Sequence, residues 1–215
     1  MTRPRTKMPL VEAYMLSSMQ DSGHDAEHVY RVLHYALPIA AHEGGVDLDV
    51  LTAACLLHDI ARTEQFADPE LDHAALGGEK AYDWLLVNGF TVDFADCVRH
   101  CIQTHRYRSE APPQSVEAKI LFDADKVDVS GAVGIARTLL YAALVEEPLY
   151  SLTELGEVSD GAGDTVPSFL QEYKLKMETL HETLYTQYGR VLAEKRKPAA
   201  TAFYEAFLAE VRECY

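Results

Sequence analysis

The chain has 215 residues, of which 48% are hydrophobic, so it can bury a sizeable core, and we expect a single domain spanning residues 1–215. The formal net charge of -15 argues against binding nucleic acid polymers or anionic membranes through the overall electrostatic field. No apolar run approaches the roughly 20 residues that a membrane-spanning helix needs.

Helical periodicity dominates the chain, and we find no convincing alternating strand pattern bounded by hairpin turns. Apolar spacing and capping residues predict helices over 8–19, 24–43, 47–60 with Asp47 as N-cap, 72–88 with Gly89 as C-cap, 92–105 with Thr91 as N-cap, 116–127 with Ser115 as N-cap, and 131–146. We therefore expect an all-α fold.

The composition changes after these helices. Residues 147–166 are rich in glycine, serine and acidic side chains, and such a long segment predicts either a flap over a site or a disordered crossover. Pro167 suits the first turn of a helix over 168–187. A last helix is predicted over about 190–213, with Pro198 as a candidate break.

The amino terminus, MTRPRTKMPL, lacks the apolar core of a signal peptide. The four cysteines form no CxxC pair. These features predict a cytoplasmic protein with reduced thiols.

Six polar residues interrupt the apolar pattern, mostly at or near helix ends, where side chains can converge on one cavity. They are His28 in GHDAEHVYRVLHYA, His58 and Asp59 in ACLLHDIAR, His73 at the start of a helix, His105 in CIQTHRYR and Asp125 in KILFDADKVD. Imidazole and carboxylate groups together are the ligands that divalent transition metals prefer. The sequence therefore predicts a metal site.

Each of these residues has an alternative interpretation. His58 and Asp59 could simply complete a helix end, and His73 could open a helix that Asp72 caps. Other residues compete for the same roles: His24 for His28, His100 for His105, and Asp123 or Asp128 for Asp125. Cys97, Cys101 and His105 follow one helical stripe, which permits a thiolate site, although buried cysteine usually acts as a small hydrophobic residue.

The order His … His-Asp … Asp on a helical chain resembles the HD superfamily of metal-dependent phosphohydrolases over about residues 20–145. HDAEHVYRVLHYA is similar to the first His helix of that family, and AACLLHDIAR to its HD helix. VEAKILFDADKVDVSGAVGIAR is similar to the final Asp segment in a branch of uncharacterised bacterial HD hydrolases. The resemblance implies an HD-domain helical bundle with a C-terminal helical extension.

The resemblance also implies a ligand set. It assigns one ion to four residues, which are His28, His58, Asp59 and Asp125. His73 and His105 match the extra histidines of members with two ions, in which case Asp59 is a bridge. The resemblance thus implies one or two divalent ions and leaves Fe, Mn, Mg, Co, Ni and Zn open.

The implied activity is hydrolysis of a phosphate ester or anhydride, on a nucleotide-like small molecule, by metal-activated water. Asp59 would orient the nucleophile, and Arg31 and Lys126 would neutralise phosphoryl charge during catalysis. Substrate contacts are predicted for Arg31, Arg62, Arg106 and Lys126, with Arg108 as a further residue beside His105. Salt bridges to some of the 34 acidic residues are the alternative for these cations.

Two other functions remain open at this stage: an HD-type mixed-valent di-iron oxygenase, and a non-catalytic metal-binding regulatory module. A phosphorylated small molecule is the expected partner of the phosphohydrolase. No nucleic acid polymer or membrane is expected as a partner, and a homodimer is left open.

Overall fold

The structure, a computed structural model of the chain, describes residues 4–19, 26–106 and 112–215. Those residues are largely helical, and their only extended pairing is an isolated bridge between Leu152 and Val158, which confirms the all-α prediction. The chain divides into two compact units, Met1–Asp125 and Lys126–Tyr215. The single domain over 1–215 stays a prediction.

The α-helices of the described residues, in chain order, are α1 (Met8–Ser18), α2 (Ala26–His42), α3 (Leu48–Leu57), α4 (Arg62–Ala67), α5 (His73–Val87), α6 (Val92–Gln103), α7 (Val116–Asp128), α8 (Gly131–Leu144), α9 (Phe169–Glu172) and α10 (Gln187–Arg212). Only the short α4 has no counterpart among the predicted helices. None of these helices is singly long and apolar enough to cross a membrane, and α7 and α8 meet that test only when taken together.

Side-chain caps begin four of the helices where the sequence places them, and one of these is Ser115, which accepts a hydrogen bond from the third amide of α7 at 3.1 Å. Asp47 accepts hydrogen bonds from the second and third amides of α3 at 2.9 and 3.1 Å. Asp72 does the same for α5 at 2.9 and 3.4 Å, and Thr91 accepts from the third amide of α6 at 3.3 Å. Because α3 ends at Leu57, earlier than predicted, the His-Asp pair lies in the turn between α3 and α4.

The first unit is built around α3, which is buried on almost every side and packs against α1, α2 and α6. Helix α5 packs along α6. The two helices approach closely at Gly78, where a Cβ atom would lie 2.6 Å from Cγ of Gln103 and 3.3 Å from the carbonyl oxygen of Arg99. This close packing aligns the start of α5 with the end of α6.

The helix predicted over 168–187 is wrong. Helix α9 ends at Glu172 and is followed by a π-helical turn, Tyr173–Met177, and a 3-10 turn, Leu180–Glu182. The π-helical turn, which is wider than an α-helical turn, begins at Tyr173. The Tyr173 ring is buried and stacks on Tyr204 with centroids 4.1 Å apart. Tertiary packing in the second unit therefore overrides the local helical pattern.

The last helix starts earlier than predicted and has no break at Pro198. Thr186 caps α10 by accepting a hydrogen bond from the amide of Gly189 at 3.1 Å. Ala200 and Tyr204, after the proline, belong to the core of the second unit. Burial of this face compensates for the backbone hydrogen bond that a proline removes from a helix.

The segment 147–166 makes its own hydrogen bonds and packs into the core of the second unit. The Asp164 carboxylate accepts hydrogen bonds from the hydroxyls of Ser151 and Ser159 at 2.5 and 2.8 Å. Val158 is buried in the core of the second unit, and its carbonyl oxygen accepts from the Arg212 guanidinium at 3.2 Å. The role of this segment as a flap stays a prediction.

Gly161 tests how tightly this segment is packed. Its φ is +87°, and a Cβ atom there would lie 2.3 Å from the carbonyl group of Leu170. We expect Gly161→Ala to lower the free energy of unfolding by about 3 kcal/mol, through backbone strain and steric overlap. Gly163→Ala is the control, because φ is +75° there but no atom lies within 4 Å, and we expect a loss of about 1 kcal/mol. Equal losses in urea denaturation would contradict the packed arrangement.

Candidate metal centre

The turn after α3 presents His58 and Asp59 to the interior of the first unit. His58 is fully buried, and Asp59 is 4% exposed. The Nδ1 atom of His58 lies 2.8 Å from the carbonyl oxygen of Cys55, to which it donates. The proton is then on Nδ1, and the Nε2 lone pair is available as a ligand.

A first donor group forms where α2, the His-Asp turn and α7 meet. Nε2 of His28 lies 3.3 Å from Nε2 of His58 and 3.3 Å from Oδ1 of Asp125. The three donor atoms lie within 4.8 Å of one another. This spacing allows all three side chains to bind one ion.

A second donor group consists of Asp59, His73 and His105, all buried. Nε2 of His73 lies 3.4 Å from Oδ1 of Asp59, and Nε2 of His105 lies 3.7 Å from the same oxygen. Nδ1 of His105 donates to the carbonyl oxygen of Ile102 at 2.5 Å, which places the imidazole lone pair on Nε2, the ligand atom. This group also has the spacing of a metal site.

The Asp59 carboxylate lies between the two groups. Its Oδ2 atom is 3.6 Å from Nε2 of His28 and 3.7 Å from Nε2 of His58. Its Oδ1 atom faces the imidazoles of His73 and His105. One oxygen per group is the arrangement of a bridging carboxylate.

The charges in this site suit metal ligands. Burial alone would raise the pKa of Asp59, but the Arg62 guanidinium, 3.6 Å away, holds that pKa well below its usual range. Burial lowers the pKa of His58, and it is also the main cause that lowers the pKa of His73 to about 2. An ionised carboxylate among neutral imidazoles is the protonation state that metal binding requires, so these residues fit a divalent ion.

The geometry separates Asp125 from the neighbouring aspartates. Asp125 belongs to the first donor group, whereas neither Asp123 nor Asp128 belongs to a donor group among the described residues. Asp128 instead lies 3.5 Å from the Arg137 guanidinium in the second unit. Asp125 therefore stays the candidate ligand of α7.

The competing histidines divide in the same way. His105 approaches Asp59, and His100 is in neither donor group of the described residues. Asp72 caps α5, and its neighbour His73 faces the site. The cap is therefore Asp72, and His73 stays a candidate ligand. His24 and Arg108 lie outside the described residues.

The cysteines beside the site behave as small hydrophobic residues. Cys55 and Cys101 are buried, and burial raises the pKa of the Cys101 thiol to about 12. Neither cysteine belongs to a donor group in the part of the chain that the structure describes. A protonated thiol is a poor ligand, which argues against the thiolate site.

The predicted substrate contacts differ in their surroundings. Arg62 lies against Asp59, and the Arg106 guanidinium donates to the Asp72 carboxylate at 2.8 Å. Both arginines therefore form the salt bridges that were the alternative to substrate binding. Arg31 lies 3.8 Å from Glu27, and Lys126 follows Asp125 on α7. Substrate binding by any of these cations stays a prediction.

Sequence reasoning missed Gln65. Its side-chain oxygen lies 2.7 Å from Nδ1 of His73 and accepts from Arg62 at 2.8 Å. The residue lies in α4, a helix of six residues that shows too little periodicity to be predicted. A glutamine three positions after an arginine is also too common a pattern to indicate this role.

Metal content tests the two donor groups. If both groups bind, we expect nearly two ions per chain in the wild type, nearly one in His105→Ala and in Asp125→Ala, and almost none in Asp59→Ala, because Asp59 contributes to both sites. Elemental analysis after dialysis measures these ratios, and His100→Ala, in the helix α6 that precedes His105, is the control. Full metal content in Asp59→Ala would contradict the bridging role.

The buried histidines also predict a pH dependence for the metal-free chain. An unfolded histidine titrates near pH 6.5, whereas His73 has a folded-state pKa of about 2, so only the unfolded state gains this proton as the pH falls below 6.5. We expect His73 alone to lower the free energy of unfolding by about 2 kcal/mol between pH 7.5 and pH 5. Asp59 does not contribute in this range, because its lowered pKa supports the fold until the pH falls below about 3.8.

Urea denaturation at the two pH values measures this effect. In His73→Gln the loss of stability on acidification should be smaller by about 2 kcal/mol than in the wild type. His42→Gln, on the exposed side of α2, is the control for removal of an imidazole. An unchanged loss in His73→Gln would show that His73 is not held in its neutral form.

Comparisons with known proteins agree with this geometry. A sequence model of the HD domain family matches residues 25–130. The uncharacterised protein YpgQ of Bacillus subtilis is 32% identical over 182 residues, which cover 82% of this chain and 79% of YpgQ. A predicted HD superfamily hydrolase from an uncultured Thermotogales bacterium has a similar structure, with a TM-score of 0.65, 30% identity, and coverage of 95% of this chain and 92% of that one.

A crystal structure of YpgQ in complex with ADP is also similar, with a TM-score of 0.73, 27% identity and coverage of 96% of both chains. The family match spans the helices that carry the donor groups. The comparisons confirm the resemblance and the helical-bundle fold expected from the sequence. The chain belongs to the HD superfamily.

Proposed function

We propose that this chain is a metal-dependent hydrolase of a phosphate ester or anhydride in a nucleotide-like small molecule. The observation that carries the proposal is the Asp59 carboxylate, whose two oxygens face two separate groups of metal-binding side chains. The similar solved structures include predicted hydrolases, which supports hydrolysis as the general class of reaction.

Six side chains would hold the metal. They are His28, His58 and Asp125 on one side, His73 and His105 on the other, and Asp59 between them. Bound ions of this kind polarise a phosphoryl oxygen and lower the pKa of a water molecule. Four imidazoles in the set favour Mn, Fe, Co, Ni or Zn over Mg, which prefers oxygen ligands.

Asp59 and Asp125 differ in their access to substrate. The Asp59 side chain is 4% exposed, and its low pKa keeps it an acceptor that can orient a water molecule through a hydrogen bond. The Asp125 side chain is 14% exposed and so lies nearer to solvent. We assign orientation of the attacking water to Asp59 and place the substrate on the side of Asp125.

Arg31 and Lys126 would neutralise charge on the phosphoryl group. Arg31 is one turn from His28 on α2, and its guanidinium lies 3.8 Å from the carboxylate of Glu27, a side chain that is 82% exposed. An exposed pair of this kind contributes little free energy, so an anionic substrate can replace it. Lys126 follows Asp125 directly on α7.

The proposal that the substrate is nucleotide-like rests on a similar protein of known structure. YpgQ, which is 27% identical over 96% of this chain, has been solved in complex with ADP. ADP combines a phosphate anhydride with a phosphate ester, and both bonds fall within the proposed chemistry. The overall negative charge of this chain then requires metal ions and local cations to bind the anion.

Steady-state assays test the proposal. Wild-type protein loaded in turn with Mn, Co, Ni, Zn or Mg should release phosphate or pyrophosphate from a panel of nucleotides, and His58→Ala should reduce turnover to background because a ligand is lost. Circular dichroism must show that the variant still folds, and His42→Ala, on an exposed face of α2, is the matched control.

The same preparations separate the other two functions. Oxygen uptake by iron-loaded protein, without phosphate release from any nucleotide, would replace the proposal with a di-iron oxygenase. Nucleotide binding without turnover under every metal would instead favour a regulatory module. Turnover that persists in folded His58→Ala would contradict the assignment of the site.

A further inference from the structure

The Gln65 side chain lies behind His73, on the side away from Asp59. Its Oε1 atom is 2.7 Å from Nδ1 of His73, and its Nε2 atom donates to the carbonyl oxygen of Leu71 at 2.9 Å. The bond to Leu71 sets the orientation of the amide, because only the NH₂ end can donate. Gln65 therefore presents an acceptor to His73.

This acceptor decides which nitrogen of His73 carries the proton. Because Oε1 of Gln65 can only accept, His73 must donate through Nδ1, and its lone pair is then on Nε2. Nε2 is the atom that lies 3.4 Å from Oδ1 of Asp59 in the second donor group. The imidazole is thus held in the tautomer that a metal ligand requires.

The neighbouring Arg62 favours the opposite tautomer. Nη1 of Arg62 lies 3.2 Å from Nδ1 of His73, and it also donates to Oε1 of Gln65 at 2.8 Å. A guanidinium can only donate, so without Gln65 it would donate to Nδ1 and place the proton on Nε2. An Nε2–H group would donate to Asp59 and could not bind a metal.

His73 needs a side-chain partner because of its position in a helix. His58 and His105 follow the ends of helices, and each donates to the backbone carbonyl three residues earlier, at 2.8 and 2.5 Å. His73 is the first residue of α5, so no preceding helical turn offers it such a carbonyl. The two other imidazoles are oriented by the backbone, and His73 is oriented by Gln65.

We propose that Gln65 is a positioning residue that holds His73 in its Nδ1–H tautomer against the competing donor Arg62, and so sets the metal affinity of the second donor group. The inference rests on the proposed metal centre, because Gln65 itself is not a ligand. It goes beyond the six predicted ligands by assigning a separate determinant to one of the two sites.

Imidazole NMR of the metal-free full-length chain tests the tautomer directly. Long-range ¹H–¹⁵N correlations, with the His73 signals identified from a His73→Gln spectrum, should show Nδ1–H in the wild type and Nε2–H in Gln65→Met. Gln65→Glu keeps an acceptor and should retain Nδ1–H. Gln114→Met, an exposed glutamine, is the control and should leave the His73 signals unchanged.

Calorimetric titration with Mn²⁺ then measures the consequence. In Gln65→Met we expect the affinity of one binding event to fall about 10- to 100-fold, which is the range for loss of such a partner. The other event, identified by its loss in Asp125→Ala, should not change, and Gln65→Glu should restore the first.

Three results would overturn the proposal. The first is an Nε2–H tautomer of His73 in the wild type, a test that does not depend on the folding of any variant. The others are an Nδ1–H tautomer in Gln65→Met, or equal Mn²⁺ affinities in the wild type and Gln65→Met. The tautomer is measured without metal or substrate, so a failure of the proposed hydrolysis leaves this result standing. Conversely, if His73 has the other tautomer, the proposal fails even when the protein hydrolyses nucleotides.

Discussion

The buried Asp59 carboxylate is the charge around which the first unit is organised. An ionised carboxylate inside a protein is costly unless opposite charges and hydrogen-bond donors surround it. Here the Arg62 guanidinium lowers its pKa, and each oxygen faces its own pair of histidine nitrogens. The position of α5 and the end of α6 follow from this requirement, because both must bring an imidazole to the same carboxylate.

Helix ends make this convergence possible, and they also explain how the imidazoles are oriented. A residue just after a helix can donate to the carbonyl three positions earlier, which leaves the other ring nitrogen directed into the site, as at His58 and His105. A residue that begins a helix has no such partner. His73 therefore depends on Gln65, and Gln65 depends on the short helix α4 that follows the His-Asp turn.

The second unit obeys a different constraint, which is the packing of aromatic rings. Tyr173 stacks on Tyr204, and Phe169 contacts Phe203 and Phe207 edge to face. These contacts replace a predicted long helix with a short helix and wider turns, because burial of large rings contributes more free energy than local helix propensity. They also hold the segment 147–166, whose composition alone resembles that of a disordered linker.

The sequence by itself determined the all-α class, most helix boundaries and the six candidate ligands, because apolar spacing, capping residues and the order of histidines and aspartates are local or ordered along the chain. It also left each ligand with a competing residue or an alternative interpretation. Only the tertiary structure decided that Asp125 approaches His28 and that Asp59 has one oxygen on each donor group, since these distances join residues far apart in the chain. The roles of Gln65 and Arg62 were also decided by the tertiary structure. Both act on His73 through contacts of 2.7 to 3.2 Å that no spacing in the sequence reveals.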